Sequence, residues 1–163
     1  MEDTTNGNIA PPMTTLVTPE LRAWIGRSAP TQRVEITRRD IVKYSLATEQ
    51  QAAKFLTGDE APPMFLFAAD RPLSGPQQLG PDGLAADVLL PRLPLPRVMA
   101  GGSKHRYQRV LKPGDVVFIK RTLTDIYEKH GASGPLIFIV YELEVTDADG
   151  ARVLEETQTR INR

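Results

Sequence analysis

A block of glycine and proline motifs between Leu79 and Leu136 fixes where the regular structure of this chain can begin, turn and end. Each motif lies at the start or end of an apolar run. The motifs are LGPDG (Leu79–Gly83), LPLPR (Leu93–Arg97), AGG (Ala100–Gly102), LKPGD (Leu111–Asp115) and GASGPL (Gly131–Leu136). Proline cannot donate a backbone hydrogen bond, and glycine adopts backbone angles that other residues avoid, so these motifs predict strand ends and turns.

Four runs rich in β-branched and aromatic residues lie within or after this block, and we predict that each forms a β-strand. The runs are Ser103–Leu111, Asp115–Tyr127, Leu136–Val145 and Ala151–Ile161. Two turn motifs, Lys112–Asp115 and Asp147–Gly150, separate neighbouring runs and favour antiparallel connections. The run Leu136–Val145 is apolar on both faces as far as Glu142, which is typical of a central strand.

The N-terminal part is predicted to hold a polar arm, a helix and a short strand. Residues 1–15 are polar and are predicted to be disordered. Thr18–Pro19 suits the cap and the first position of a helix that ends by Pro30. The apolar face of that helix carries Leu21, Trp24 and Ile25. A short strand candidate, Arg33–Ile36, follows.

Two further helices are predicted before the first long strand. Thr37 and Asp40 have the spacing of a capping box, in which the carboxylate reaches back to the backbone of the cap. The helical period continues through Ile41, Tyr44 and Ser45 to about Thr48. Glu49–Asp59 is mostly polar. The next helix begins at Pro62 or Pro63, and its residues are apolar on all sides, which predicts a buried element. Those residues include Met64, Phe65, Leu66 and Phe67.

The segment Arg71–Arg97 contains six prolines and is predicted to be a long loop. Loops of this length are unusual in compact domains and often cover a functional site. This one is either an irregular wrap over the sheet or a cover for a substrate entrance. Four antiparallel strands after a buried helix predict an α+β fold with one sheet wrapped on one helix. At 163 residues, the chain has the length of one domain, which we place at 16–163.

The composition argues against several classes of function. Twenty basic and twenty acidic residues make the chain formally neutral, and no Lys/Arg run is dense enough to follow a nucleic-acid backbone. There is no cysteine for disulfides or thiolate chemistry, and two histidines argue against a His-rich metal site. The N-terminus lacks the pattern of a signal peptide, and no apolar run approaches about 20 residues. We therefore expect a soluble cytoplasmic protein without a metal or cofactor.

The order and spacing of these motifs resemble the N-terminal half of MaoC-like dehydratases, of the mesaconyl-CoA hydratase and fatty-acyl-thioester dehydratase type. The resemblance runs from about Val34 to the C-terminus. It is carried by Ala61–Pro63, by the first four motifs above and by YEKHGASGPL from Tyr127 to Leu136. It implies a hot-dog fold that pairs side by side with another into a double hot dog. It also implies an acyl-CoA or acyl-carrier-protein thioester as the ligand.

In that family the active half carries an Asp and a His that activate water, whereas the half resembled here shapes the acyl tunnel and helps to hold CoA. Hydration of an enoyl thioester needs a base, an acid and an N–H group at the thioester carbonyl. The active pattern would place the pair between Ser45 and Phe55, where Glu49 is the one carboxylate and no histidine occurs. No catalytic residue is therefore assigned. The full-length relatives continue into a second half, whereas this chain stops at Arg163. We expect a partner hot-dog subunit to supply the pair, or a dimer of this chain with itself.

One set of cationic and hydrogen-bonding residues is predicted to contact CoA, because CoA carries a 3′-phosphate and a pyrophosphate. The set is Arg97, Lys104, Arg106, Lys129, His130, Ser133 and Gly134. Lys120 and Arg121 extend its basic part on adjacent predicted strands, and a solvated strand face is the alternative. The predicted turn Glu128–Pro135 offers backbone N–H groups to an anion, with an ordinary solvated loop tip as the alternative.

The acyl pocket is predicted to be lined by Met64, Phe65, Phe67 and His105, and simple core packing is the alternative for the first three. On an alternating strand, His105 shares a face with Ser103 and Tyr107, opposite Lys104 and Arg106. Lone strand histidines are more often surface or packing residues.

Three functions fit the sequence. The first is the non-catalytic subunit of an (R)-specific enoyl-CoA hydratase or 3-hydroxyacyl-thioester dehydratase. The second is a homodimeric hot-dog thioesterase in which Glu60 or Asp70 attacks the thioester or activates water. Asp59, Glu60 and Asp70 flank the buried helix, and charge at the helix N-terminus is the simpler explanation of Asp59 and Glu60. The third is an acyl-CoA-binding module without chemistry. The resemblance also implies that a shortened central helix, here limited by Pro72, widens the pocket for a bulky acyl group.

Overall fold

The computed structural model describes residues 15–69, 74–80, 83, 85 and 87–163. Residues 1–14 of the predicted arm and Asp70 lie outside the described residues. The described chain contains four short α-helices and one 3₁₀ turn. The helices are α1 (Pro19–Arg22), α2 (Arg38–Ala47), α3 (Ala53–Leu56) and α4 (Phe65–Ala69), and the 3₁₀ turn is Pro76–Gln78. None of these helices is long and apolar enough to cross a bilayer.

Five strands form one antiparallel sheet, as the alternating runs predict. They are β1 (Gln32–Glu35), β2 (Val98–Tyr107), β3 (Val116–Gly131), β4 (Gly134–Asp147) and β5 (Arg152–Asn162). Their order across the sheet is β1-β3-β4-β5-β2. The predicted central position of Leu136–Val145 is confirmed, because β4 lies between β3 and β5.

Both predicted turns are confirmed. Asp115 N–H donates to the Lys112 carbonyl at 3.1 Å, and Gly114 takes φ +90° between them. That positive angle explains why the turn contains glycine, since other residues are strained there. The hairpin from β4 to β5 closes between Asp147 N–H and the Ala151 carbonyl at 2.9 Å, with Gly150 at φ +81°.

Two strand boundaries differ from the prediction. Ala100–Gly102 was expected to precede the second strand, but it lies inside β2, which runs from Val98 to Tyr107 rather than from 103 to 111. The register shifts by one residue between Ala100 and Gly102, so the motif forms a bulge within the strand. The third strand continues to Gly131, so His130 belongs to β3 and not to a turn. Ala132 and Ser133 alone connect β3 to β4.

The helix predictions are right in position but not in every length. α1 ends at Arg22, so Trp24 and Ile25 follow it instead of extending its face. Gly26 N–H donates to the Leu123 carbonyl at 2.8 Å, which attaches the chain to the sheet and ends the helix. α3 was not predicted within the polar stretch Glu49–Asp59.

α2 begins at its predicted cap. Asp40 N–H donates to the Thr37 hydroxyl oxygen at 3.1 Å. The hydroxyl itself donates to the Asp40 carboxylate at 2.6 Å. The predicted contact of the carboxylate with the backbone of the cap is therefore replaced by a contact with the cap side chain.

The core lies on one side of the sheet, which we call the inner face. On β4 this face carries buried side chains, from Ile137 to Val145 at every second residue, while Glu142 and Glu144 are exposed on the outer face. Phe65 and Leu66 of α4 pack into this core, and so do Leu89 and Leu90 of the proline-rich segment. Phe67 is 40 % exposed, so the prediction that the helix is buried on all sides is wrong for this residue.

Candidate functional site

The half of the inner face nearest to β2 is polar. On β5 the inward positions are Glu156, Gln158, Arg160 and Asn162, which pair with the apolar β4 residues Leu143, Tyr141, Ile139 and Ile137. On β2, His105 lies opposite Glu156, and Ser103 lies opposite Gln158. Polar side chains buried in a sheet are costly unless they are paired, so their partners define the candidate site.

The predicted orientation of His105 is confirmed, because the register places it on the inner face with Ser103 and Tyr107. Its Nε2 lies 3.1 Å from Oε1 of Glu156, and the two side chains are only 13 % and 4 % exposed. Gln158 Nε2 donates to the same carboxylate oxygen at 2.8 Å. The imidazole stacks on the Tyr107 ring at a centroid distance of 5.9 Å. His105 is therefore a satisfied, mostly buried side chain. Glu156 was not predicted as a site residue. The feature of the sequence that points to it is an acid at an inward position of the last strand.

A mostly apolar cavity of about 200 Å³ lies beside the start of α4. Its lining includes Phe55, Pro62, Phe65, Tyr107 and Leu111, with the charged pair of Lys54 and Glu60 as part of the wall. Lys54 Nζ and Glu60 Oε2 are 2.7 Å apart, so each charge is neutralised by the other.

The backbone at the start of α4 is held by a tyrosine. Met64 has φ +67°, an angle that non-glycine residues rarely adopt, and its N–H donates to the Tyr107 hydroxyl at 3.0 Å. Tyr44 packs edge-on against Phe65 at 5.7 Å. Burial, and secondarily the neighbouring Tyr107, raises the pKa of Tyr44, which keeps its phenol neutral. Of the predicted acyl-pocket residues, Met64 therefore contacts Tyr107, and Phe65 contacts Tyr44.

The stretch Ser45–Phe55, in which the resemblance implies the Asp and His of an active half, contains neither residue. Glu49, its one carboxylate, is exposed on the turn after α2 with φ +54°. Phe55 lies on the cavity wall, and Ser45 is fully buried with a hydroxyl that has no hydrogen-bond partner among the described residues. The cavity beside α4 is thus lined mainly by apolar groups, by the Lys54–Glu60 ion pair and by Arg109, which pairs with Asp115.

A second polar cluster, which the sequence did not predict, joins the proline-rich segment to the inner face. One oxygen of the Asp87 carboxylate accepts from Arg121 Nη2 at 2.8 Å, and the other accepts from the Tyr141 hydroxyl at 2.6 Å. Arg160 Nη1 lies 3.7 Å from the second oxygen. Burial, followed by the adjacent carboxylate, raises the pKa of Tyr141 far above its ordinary value, so the hydroxyl remains a donor. We call Asp87, Arg121, Tyr141 and Arg160 the Asp87 cluster.

The predicted basic set is divided by the sheet. The prediction that its basic residues lie on adjacent strands is wrong, because β4 and β5 lie between β2 and β3. Lys104, Arg106 and Lys120 line an outer-face groove of about 340 Å³, whereas Arg121 points to the inner face. The groove also contains acidic residues, which offset its positive charge. They are Glu142, Glu144 and Glu155, and Arg106 pairs with Glu155 at 3.5 Å.

The remaining predicted CoA residues lie at the hairpin between β3 and β4 or near the end of β5. His130 Nε2 is 3.5 Å from Glu128, and Lys129 lies over the stacked rings of Tyr127 and Phe138. Ser133 and Gly134 are at the hairpin tip, and Arg97 is exposed and pairs through its backbone with Arg163. These residues are therefore spread over several surfaces, and their contact with CoA stays a prediction.

The two described carboxylates of the thioesterase hypothesis are both paired. Asp59 lies 2.6 Å from Arg38 and accepts from the Thr57 hydroxyl at 2.6 Å. The Thr57 hydrogen bond, followed by that of Arg38, lowers the pKa of Asp59. Glu60 pairs with Lys54, so specific ion pairs, and not only a helix N-terminus, account for both acids. Within the described residues, no cluster of His, Cys, Asp and Glu has the composition of a metal site.

Comparison with known proteins identifies similar sequences and structures. Residues 23–156 match the family described as "FAS1-like, dehydratase domain region". Over 137 residues the chain is 26 % identical to the mesaconyl-C(4)-CoA hydratase of Chloroflexus aurantiacus, covering 82 % of this chain and 48 % of that protein. The chain therefore spans about half the length of this curated relative.

Solved structures with low sequence identity share the fold. The ChsH1–ChsH2 complex from Mycobacterium tuberculosis gives a TM-score of 0.63 at 17 % identity, over 88 % of this chain and 91 % of the other. A (3R)-hydroxyacyl-ACP dehydratase complex, HadBC, from the same organism gives 0.61 at 12 % identity, over 85 % and 96 %. The R-hydratase PhaJ1 from Pseudomonas aeruginosa gives 0.57 at 16 % identity, over 85 % and 81 %.

Proposed function

The chain belongs to the FAS1-like dehydratase domain family and has the hot-dog fold, and on this premise we propose that it is a substrate-shaping subunit without its own catalytic pair. The reaction would be the hydration of an enoyl-CoA or the dehydration of a 3-hydroxyacyl thioester. A partner hot-dog subunit would supply the Asp and the His that move the protons. Two of the structural neighbours are complexes of named components, ChsH1–ChsH2 and HadBC, which supports a division of labour between subunits.

The cavity beside α4 is the observation that carries this proposal. Addition of water needs a base for the water and an acid for the α-carbon, both within hydrogen-bond reach of the substrate. The described side chains lining this cavity are apolar, aromatic or, for the three charged ones, already paired. Lys54 and Glu60 pair with each other at 2.7 Å, and Arg109 pairs with Asp115 at 2.7 Å. Such a wall can exclude water and hold an acyl chain, but it offers no free proton acceptor.

The long edge of β2 is where we propose that the partner pairs. β2 is the last strand of the sheet and has ten residues, whereas β1 at the opposite edge has four. An unpaired edge strand of this length readily accepts another strand. Met99, Tyr107 and Val110 along or just beyond this edge are 37 %, 45 % and 46 % exposed, which suits a surface covered by a subunit. Pairing here would place the partner next to the polar half of the inner face.

The proposal is tested by assaying the purified chain alone for hydration of crotonyl-CoA, followed by loss of the enoyl absorbance. We expect no turnover above the uncatalysed rate, because none of the described residues that line the cavity offers a free base. A pull-down from the native host is expected to recover a hot-dog protein with an Asp and His pair and to yield an active complex. Turnover by the isolated chain would overturn the proposal.

A variant of His105 is the control for that assay, because His105 and Glu156 form a histidine–carboxylate pair on the inner face. If the isolated chain did turn over, a His105→Asn variant would show whether this pair is responsible. In the proposed complex, the same variant is expected to change the KM for the thioester more than kcat, because His105 would border the substrate without moving its protons.

A thioesterase is the second candidate, because Glu60 lies in the cavity wall. It predicts that the isolated chain releases free CoA from acyl-CoAs and that Glu60→Ala abolishes the release. Absence of thiol release from a range of short and bulky acyl-CoAs would exclude it. The first candidate is favoured because the Glu60 carboxylate is occupied by Lys54 at 2.7 Å.

A further inference from the structure

We propose that Arg121, Arg160 and Tyr141 form a carboxylate-binding site on the inner face, occupied here by Asp87, and that thioesters whose acyl group carries a free carboxylate compete for it. The substrate class in this inference rests on the proposed function. The carboxylate-binding site itself rests only on the geometry of the Asp87 cluster.

The donors of the cluster converge on one carboxylate. Arg121 Nη2 reaches one oxygen of Asp87 at 2.8 Å, and the Tyr141 hydroxyl reaches the other at 2.6 Å. A guanidinium and a phenol that bind different oxygens of the same group recognise a planar carboxylate. Tyr141 is 3 % exposed and donates its hydroxyl to Asp87, so the phenol forms the buried side of the site.

The charges of the cluster do not balance. Two guanidinium groups face one carboxylate, and the described contacts add no second acid to them. Arg160 donates through Nε to Oδ1 of Asn162, which is neutral, while its Nη1 stays 3.7 Å from Asp87 and beyond hydrogen-bond distance. The nearest inward acid on β5, Glu156, is already paired with His105. An excess positive charge in a half-buried site favours another anion.

The site can exchange its carboxylate without disrupting the core. Arg121 and Arg160 are 32 % and 30 % exposed, so a ligand can reach both guanidinium groups, whereas Asp87 is 12 % exposed. The Oδ1 atom of Asp87 that accepts from Arg121 also accepts from Leu89 N–H at 3.0 Å, and this backbone donor remains when an incoming carboxylate takes the arginine. Leu89 and Leu90 are 2 % and 9 % exposed, so apolar packing also anchors the segment in the core.

Chemical rescue tests the carboxylate site independently of any acyl thioester. Asp87→Ala removes the internal carboxylate and is expected to lower the melting temperature. Sodium acetate is expected to raise it again, whereas acetamide, or sodium chloride at the same ionic strength, is not. An Asp87→Ala, Arg121→Gln double variant is expected to lose the rescue. Equal effects of acetate and chloride on Asp87→Ala would overturn the carboxylate site.

Acyl-CoA binding tests the substrate class. By calorimetry, Asp87→Asn is expected to bind succinyl-CoA about tenfold more tightly than the unmodified chain, because a competing charge is gone. Binding of butyryl-CoA, which lacks the terminal carboxylate, is expected to stay unchanged. Arg160→Gln is expected to reduce the preference for succinyl-CoA. Arg39→Gln, an exposed change on α2, serves as the control and is expected to preserve both affinities.

The outcomes separate this inference from the proposed function. Acetate rescue without binding of either acyl-CoA would contradict the proposed function and leave the carboxylate site standing. Binding of both acyl-CoAs with equal affinity in every variant would contradict the substrate class and leave the proposed function standing.

Discussion

Single carboxylates attach the irregular segments of this chain to its sheet. Glu128 on β3 accepts from Leu16 N–H at 2.7 Å and from the Thr15 hydroxyl at 2.9 Å, which holds the segment that leads into α1. Asp87 holds the proline-rich segment against Arg121 and Tyr141. In both cases one carboxylate side chain replaces the backbone pairing that a regular element would provide.

Glu128 predicts an acid-sensitive attachment of the N-terminal segment. The Leu16 N–H bond, followed by other contacts, lowers the pKa of Glu128 in the folded state. Its contribution to stability is therefore complete above the ordinary pKa of about 4.3 and is lost as the pH falls through the lower, folded-state value. We expect the fluorescence of Trp24, the single tryptophan, to change in that acid range.

Glu128→Gln is expected to show, already at neutral pH, the Trp24 fluorescence that the unmodified chain reaches in acid when its N-terminal segment detaches. Glu35→Gln, a change at an exposed position of β1, is the control and is expected to keep the original pH profile. An unchanged profile in Glu128→Gln would contradict this role.

The bulge in β2 depends on the absence of a side chain at Gly101. A Cβ placed there would lie 2.8 Å from Thr159 Cγ2 and 3.0 Å from the Thr159 carbonyl oxygen. Gly101→Ala is therefore expected to lower the free energy of unfolding by about 1–3 kcal/mol, because a backbone atom cannot move aside cheaply. Denaturant unfolding measures this change.

Gly131→Ala is the matched control for Gly101→Ala, because the nearest atom to its added Cβ is Leu136 Cδ1 at an ordinary 3.4 Å. It is expected to leave stability unchanged or to raise it by up to about 1 kcal/mol, through reduced freedom of the unfolded chain. Equal destabilisation by the two variants would contradict the steric explanation.

At the level of elements, the part of the proline-rich segment that follows Asp87 wraps over the sheet as a packed element. Leu89 and Leu90 are 2 % and 9 % exposed and belong to the main core, and Leu93 and Leu95 pack against it. Asn162 Nδ2 donates to the Leu95 carbonyl at 2.8 Å, which satisfies one backbone group in a segment that forms no strand hydrogen bonds. Of the two interpretations that the prolines allowed, the wrap describes residues 87–97.

Leu89→Ala is expected to lower the free energy of unfolding by about 2–5 kcal/mol, because it leaves a cavity in the core. Val88→Ala, at a neighbouring side chain that is 67 % exposed, is the matched control and is expected to change stability by less than about 0.5 kcal/mol. Similar small effects of both changes in chemical denaturation would show that the segment is a loose cover.

At the level of the whole molecule, the sheet has two unlike edges. β1 is short, and beyond it the Ser28–Thr122 bridge continues the protection of β3. β2 is long and has no neighbour on its outer side among the described strands. Association through β2 would remove this exposed edge, which is the physical reason to expect a dimer or a complex.

Met99→Asp is expected to weaken association about tenfold or more, because an unpaired carboxylate would be buried where the subunits meet. Ile25→Asp is the matched control, since both side chains are 37 % exposed but Ile25 lies near the opposite edge of the sheet. Sedimentation at several concentrations, alone and with the recovered partner, measures the change. Equal association of the two variants would contradict an interface at β2.

The sequence by itself determined the strand runs, the two turns and the position of the central strand. These features depend on local causes, since alternation of apolar residues sets the buried face, and proline or glycine sets the turn geometry. The motifs also indicated the family correctly, because their order along the chain is a property of sequence. The absence of Asp and His between Ser45 and Phe55 could likewise be read directly, since absent residue types need no coordinates.

Only the tertiary structure decided which polar groups meet. Asp87, Arg121, Tyr141 and Arg160 come from four separate segments, and the strand order brings them together on the inner face. Likewise, Gly101 and Gly102 indicate an irregularity, but the contact of Gly101 with Thr159 on β5 makes it a bulge inside a strand. The physical reason is that burial and ion pairing depend on neighbours across the sheet, whereas turns and strand periodicity depend on neighbours along the chain.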